Sequence, residues 1–331
     1  MLEVIQHLVG MQAQVPTNPY VALWARLEGF KVEELERLVL AKEVVRIGVM
    51  RGTIHLLTAA DSLLLRPLTQ PVLDAVLRNH PEAGSALDGV DLEPVLAHAR
   101  SLLAERPSTA SELRAALAER FPDHDGAALA IACVLTLPLA QVPPRGLWSR
   151  SSRTTLTPVD AWLGRPLASN PSVDDVIIRY LGAFGPASVA DAATWSRLTG
   201  LRAVFERLRP RLVTFRDERG RELFDLPEAP RPDPETPAPV RFLPEYDNVL
   251  LSHSDRSRLI SPETRGRLSA AGGVGWGSIL VDGTGWGVWR LLADELVIRH
   301  AGRSGRRTVT LEAKQLLRLL GAAATVRFEA L

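Results

Sequence analysis

The chain has 331 residues, 46% hydrophobic and 23% charged, which is the balance of a folded protein of about two to four domains and excludes overall disorder. Its 39 basic and 38 acidic residues leave a net charge of +1, so no global field drives it toward nucleic acid and any such contact has to be local. The longest apolar run, residues 127–140, falls short of the roughly 20 residues of a membrane span and is broken by Pro138. The single cysteine, Cys133, excludes an internal disulfide and reads as a small core residue.

Residues 1–10 lack the basic n-region and small-residue cleavage site of a secretory signal, which predicts a cytoplasmic protein. Residues 2–9 are amphipathic. Asn18 followed by Pro19 marks a helix start running to residue 27, a further helix is expected over 32–42, and a strand pair over 44–57 forms a wing. The second block carries a capping box at Thr109 and Glu112, then a helix over 127–137. The device recurs in the third block at Ser188 and Asp191, followed by a helix over 201–208 and a hairpin of strands 213–216 and 222–226. Helix, helix, helix and two-stranded wing is the order of a winged helix-turn-helix. A proline-rich linker follows, and then short strands over 279–282, 287–292 and 295–300, a helix over 311–320 and a last strand. Gly272, Gly273, Gly275 and Gly277 read as strand turns. The expected fold class is α+β: winged helices over 1–85, 86–165 and 166–227, a linker over 228–239 and a β-rich C-terminal domain over 240–331.

Three strings are more specific. They are Gly10-Met11-Gln12-Ala13-Gln14, then Met50-Arg51-Gly52-Thr53-Ile54-His55-Leu56, and the run from Leu243 through Pro244, Glu245, Tyr246 and Asp247 to Arg256. In this order, across nearly the whole chain, they resemble the AlkZ-like family of winged-helix DNA glycosylases. The resemblance implies tandem winged helices with a β-rich C-terminal domain, C-shaped overall, whose concave face holds duplex DNA. It also implies removal of alkylated purines, in some members with unhooking of interstrand crosslinks, through a catalytic Gln-x-Gln motif. The matching residues are Gln12 and Gln14. Members of the family usually begin with about one further helix before the stretch that starts here at Leu2.

Gln12 and Gln14 point to one side of an extended segment but would diverge by about 200° on a helix. Gly10 and Pro16 both discourage a helix between them. Two readings are open for the pair: solvated loop residues, or converging amides. An amide has no accessible protonation step, but its oxygen accepts from water and its NH₂ donates. That chemistry suits a purine alkylated at N7 or N3, which already carries positive charge and leaves readily once a water is placed and the oxocarbenium-like sugar is stabilised. The expected activity is that of a monofunctional glycosylase with no lyase step, since Lys31, Lys42 and Lys314 are the only lysines and none is placed for one. The alternative is a non-catalytic winged-helix DNA-binding protein, a regulator or a degenerate paralogue.

In residues 50–56 a strand reading puts Arg51, Thr53 and His55 on one face, for phosphate contact or for orienting the glutamines. Arg145, Arg150 and Arg153 fall in the expected second wing. Arg303, Arg306 and Arg307 fall in a glycine-containing turn between strand-like segments. Both stretches suit DNA backbone contact and equally suit solvated surface. Asp247, Asn248, Ser252, His253 and Arg256 form a polar cluster that supports the site or holds a domain interface. No zinc spacing, nucleotide loop or histidine pairing is present, so no cofactor or metal is expected. The expected partner is double-stranded DNA carrying alkyl lesions, bound by a nucleoid-associated monomer with no membrane attachment.

Overall fold

A computed structural model describes residues 1–330 apart from Ser149, Ser151, Pro234, Gly273, Val274 and Arg303; of residues 268–272 it describes the backbone alone. The described chain divides into two compact units. One comprises residues 1–17 and 31–227, the other residues 18–30 and 228–331. Among the described residues no helix is long and apolar enough to cross a membrane.

The larger unit is built around a six-stranded sheet. The short strand Met11–Gln12 pairs antiparallel with Ile54–Thr58, which pairs with Val44–Gly48. Val44–Gly48 then pairs with Leu139–Gln141 through Arg46 opposite Gln141 and Ile47 opposite Ala140. Thr155–Pro158 and Ser108–Thr109 complete the order. The strands expected as separate wings of the first and second blocks are therefore continuous in one sheet. The helices around the second block enclose a core of Val95, Leu103, Leu113, Leu117, Leu129 and Leu156, all 6% exposed or less. Cys133 lies in that core, where burial pushes its thiol up to about 12, so it is inert.

Both capping boxes form. Thr109 accepts from the Glu112 amide while the Glu112 carboxylate accepts from the Thr109 amide, and Ser188 and Asp191 repeat the exchange. Ser188 opens the helix Val189–Ser196, whose Trp195 packs against Tyr180 with ring centroids 4.7 Å apart. Leu201–Leu208 follows, then the hairpin of Val213–Arg216 and Glu222–Asp225, close to expectation.

The smaller unit is a five-stranded sheet backed by the helix Arg306–Leu320, and its core takes Val21 and Trp24 from the helix Asn18–Trp24. That helix contributes to a core whose other members lie beyond residue 239. Arg26 and Asp247 fasten the two segments: guanidinium NH1 and NH2 donate to the two carboxylate oxygens at 2.9 and 2.7 Å. Asn18 adds a hydrogen bond from its side-chain nitrogen to the Glu245 carbonyl at 3.0 Å.

The expected 311–320 helix starts five residues earlier, at Arg306. Its first turn carries two arginines, which the helix dipole disfavours there, and no side chain caps it. A further helix, Pro262–Gly272, precedes the strands, and its last residue is one of the glycines read as strand turns. Gly272 thus ends a helix, and Gly277 opens the strand Gly277–Val281.

Candidate active site

The segment carrying Gln12 and Gln14 is placed by a left-handed pair. Val9 and Gly10, at φ 53° and 86°, turn the chain out of the helix Leu2–His7 and into the strand Met11–Gln12. A Cβ at Gly10 would overlap Leu57 Cδ2 and lie 3.0 Å from the Leu56 carbonyl oxygen. Gly10→Ala is therefore expected to cost about 2 to 4 kcal/mol, from overpacking and backbone strain together, measured as a lower midpoint in urea unfolding.

Gln12 is 9% exposed and lies opposite His55 in the antiparallel register. Its Oε1 accepts from Arg51 NH2 at 3.1 Å. The same NH2 lies 3.0 Å from His55 Nε2, and NH1 donates to the Trp195 carbonyl at 2.5 Å. His55 Nδ1 lies 3.0 Å from the Thr53 carbonyl. Guanidinium only donates, so Nε2 is the accepting nitrogen and the proton sits on Nδ1, donated to Thr53. The segment stays extended beyond Gln12: the Ala13 amide donates to the Ile54 carbonyl at 2.7 Å, and Arg46 donates to the Ala13 carbonyl at 2.8 Å. Gln14 is exposed, and its Oε1 accepts from the Ile54 amide at 3.2 Å.

Both glutamine oxygens thus take a protein donor on one lone pair and keep the second. Neither amide nitrogen donates to a protein acceptor among the described residues. The pair presents two NH₂ groups of set orientation and two partly used acceptors. Among the described residues no carboxylate is hydrogen-bonded to either glutamine.

The strand reading of residues 50–56 needs correction. Met50–Gly52 is a 3₁₀ turn with Arg51 at φ 58°, and only Ile54–Thr58 is strand. Alternation therefore did not bring Arg51 and His55 together; the turn did. Phosphate contact is also corrected for His55, which is 1% exposed with both ring nitrogens engaged by the protein. Arg51 likewise directs NH1 and NH2 to protein acceptors.

Burial, then the adjacent Arg51 charge, pulls the His55 imidazole from 6.5 down to about 3, against the Thr53 hydrogen bond. Unfolded His55 protonates near pH 6.5 and the folded one only near pH 3, so between these values the unfolded state binds one more proton. Its contribution is complete above pH 6.5 and falls by about 1.4 kcal/mol per unit as pH drops toward 3. Thermal melts from pH 7 to 4 are expected to show that slope, and a His55→Gln variant to flatten it.

The sequence profile of the family described as DNA glycosylase AlkZ-like matches residues 5–329. The chain belongs to the AlkZ-like family of DNA glycosylases. An interstrand DNA cross-link repair glycosylase from Streptomyces sahachiroi is 28% identical over 333 residues, covering 89% of this chain and 83% of that protein. The solved structure of the Streptomyces sahachiroi DNA glycosylase AlkZ superposes with a TM-score of 0.77 at 24% identity, covering 99% of this chain and 93% of that one. The mixed helix-and-sheet fold is therefore shared.

In this AlkZ-like chain the arginines expected on DNA have unequal surroundings. Arg145 is half-buried and donates to the Ser152 carbonyl at 3.1 Å, which closes the loop between Leu139–Gln141 and Thr155–Pro158. Arg150 and Arg153 on that loop are exposed. Arg306 and Arg307 are exposed in the first helical turn and not at a hairpin tip, and Arg306 lies 4.3 Å from the Phe328 ring centroid. Arg303 lies outside the described residues.

The polar cluster after the linker is a structural brace of the smaller unit. Asp247 binds Arg26 and caps Asn248–Leu251 through the Val249 amide at 2.9 Å. Ser252 Oγ lies 2.9 Å from His253 Nδ1, and Asn248, Ser252 and His253 are buried. Arg256 is half-buried, and its carbonyl accepts the amides of Leu259 and Ile260. Among the described residues no three His, Cys, Asp or Glu side chains gather as a metal site.

Proposed function

We propose that the chain is a monofunctional glycosylase that hydrolyses the N-glycosidic bond of cationic N7- or N3-alkylated purines in duplex DNA, including purines joined in interstrand crosslinks. Gln12 and Gln14 hold the attacking water. The observation that carries this reading is the composition of the Gln12 and Gln14 surroundings: oriented amides, the Arg51 and Arg46 guanidinium groups, and an imidazole kept neutral with both nitrogens in use. Such a group has no means of protonating a departing neutral base. It needs a leaving group that carries its own positive charge, and it contributes by positioning and by preorganised dipoles. Lys42 donates to the Trp162 carbonyl and lies over that ring, which fits hydrolysis better than lyase chemistry. The relative's role in crosslink repair supports the wider lesion range.

In this reading the chain carries three winged helices over 1–85, 86–165 and 166–227, although residues 18–30 of the first belong to the smaller unit. Arg150, Arg153, Arg306 and Arg307 meet phosphates, and the protein works as a monomer on the bacterial nucleoid. The test is incubation with duplexes containing N7-methylguanine, N3-methyladenine or an N7-linked crosslink, with released bases resolved by chromatography. Expected are free base and an abasic strand that breaks only after alkali, at a rate unchanged between about pH 5.5 and 8.5 because no group at the site titrates there. A folded, duplex-binding protein that releases nothing from any of the three returns the chain to the non-catalytic reading.

A further inference from the structure

We propose that Arg51 is a positioning residue that sets which way the Gln12 amide faces and how strongly its NH₂ donates. The inference rests on the reading of Gln12 as part of the base-release site. Arg51 sits in the left-handed backbone region, φ 58° and ψ 11°, where a residue with a Cβ is strained. What holds it there is its side chain, whose NH1 and NH2 reach the Trp195 carbonyl, Gln12 Oε1 and His55 Nε2.

A primary amide can rotate by half a turn and exchange its oxygen for its nitrogen at almost the same volume. A guanidinium has no acceptor, so only the oxygen of Gln12 can face it. The NH₂ must then face away, toward whatever the site binds. The bond is also charge-assisted, which makes it stronger than one between neutral groups. Drawing electron density onto the oxygen makes the N–H groups better donors and the remaining oxygen lone pair a weaker acceptor.

The guanidinium is fixed from the far side as well. Trp195 is in the last turn of Val189–Ser196, where helical carbonyls lack intrahelical donors, and Arg51 NH1 supplies one. Arg51 thus takes its position from a helix nearly 150 residues away in the chain and transmits it to Gln12.

The test uses Arg51→Gly, which relieves the left-handed strain while removing the guanidinium, and Arg51→Lys, which keeps a charge but not the fork. Both are made in the full-length chain, with thermal melts to establish folding. In single-turnover release of N7-methylguanine, both variants should slow the chemical step by roughly 10- to 100-fold. Their affinity for undamaged duplex should stay within about twofold of the parent protein. Guanidinium ion at sub-denaturing concentration should partly restore Arg51→Gly and leave the parent protein unchanged.

Nitrogen-15 spectra give a readout independent of turnover. The two Gln12 side-chain amide protons, assigned by their loss in Gln12→Ala, should be well dispersed in the parent protein and collapse toward free-amide positions in both Arg51 variants. Unchanged Gln12 amide signals, or a loss that lies wholly in duplex affinity, would overturn the proposal. If the parent protein itself releases no base, the base-release reading fails on its own account, and the amide spectra alone decide whether Arg51 orients Gln12.

Discussion

Gln12→Ala is expected to lower single-turnover release of N7-methylguanine by about 100- to 1000-fold, the range found when one preorganised hydrogen-bonding group is removed from a transition-state site. Affinity for undamaged duplex stays within about twofold. The loss falls on the chemical step because Gln12 is buried and held by Arg51, so it is oriented before DNA arrives. Truncation also leaves the half-buried Arg51 NH2 without one acceptor, at a cost of about 1 to 2 kcal/mol in stability. A thermal melt therefore accompanies the rate measurement.

Gln14→Ala behaves differently in stability, because Gln14 is exposed and gives up only a bond from the Ile54 amide. Its rate is still expected to fall, by about 10- to 100-fold. The double variant should lose less than the product of the two, since amides that share one water act as a unit. Retained release in both single variants would place the water elsewhere.

Asp247→Ala is expected to destabilise the smaller unit by about 3 to 5 kcal/mol, the cost of removing one partner from a buried ion pair. The carboxylate is 2% exposed, takes both guanidinium arms of Arg26, and also caps the helix Asn248–Leu251. Urea unfolding should become biphasic, with the residue 228–331 signals lost first, and limited proteolysis should cut within 18–30. Replacing both partners with apolar residues, Arg26→Met with Asp247→Leu, should recover much of the loss, because no charge is then left buried without its counterpart. If the single variant unfolds with the parent midpoint, the fork contributes nothing to holding the two segments together.

Legibility in the sequence followed the range of the interaction. The capping boxes at Thr109 and Ser188 and the hairpin after Val213 are set by contacts a few residues long, and each formed within a residue or two of expectation. The pairing of Val44–Gly48 with Leu139–Gln141 was not legible, because period-two patterning tells a strand which face is buried and not which strand is its neighbour. The same holds for the helix Asn18–Trp24, whose cap signal is local but whose partners lie more than 200 residues away.

At the site, the Gln-x-Gln spacing and the extended geometry around Gln12 were readable from Gly10 and Pro16. The engagement of Arg51 was not. It depends on a left-handed turn at a residue that does not favour one, and on a carbonyl supplied by Trp195. Alternation pointed to the right pair of residues for the wrong reason.

The chain leaves the larger unit at Thr17, builds one helix of the other, and returns at Lys31. On the ribosome this order has a price. At about 5 to 20 residues per second, residues 18–30 emerge roughly 10 to 40 seconds before the first residues of their partner segment. Val21 and Ala25, at most 4% exposed in the finished protein, wait through that interval without the core they join. A nascent chain stopped short of residue 228 would present this apolar turn to chaperones or proteases, so the length of the transcript that survives, and not only its reading frame, decides whether any glycosylase accumulates.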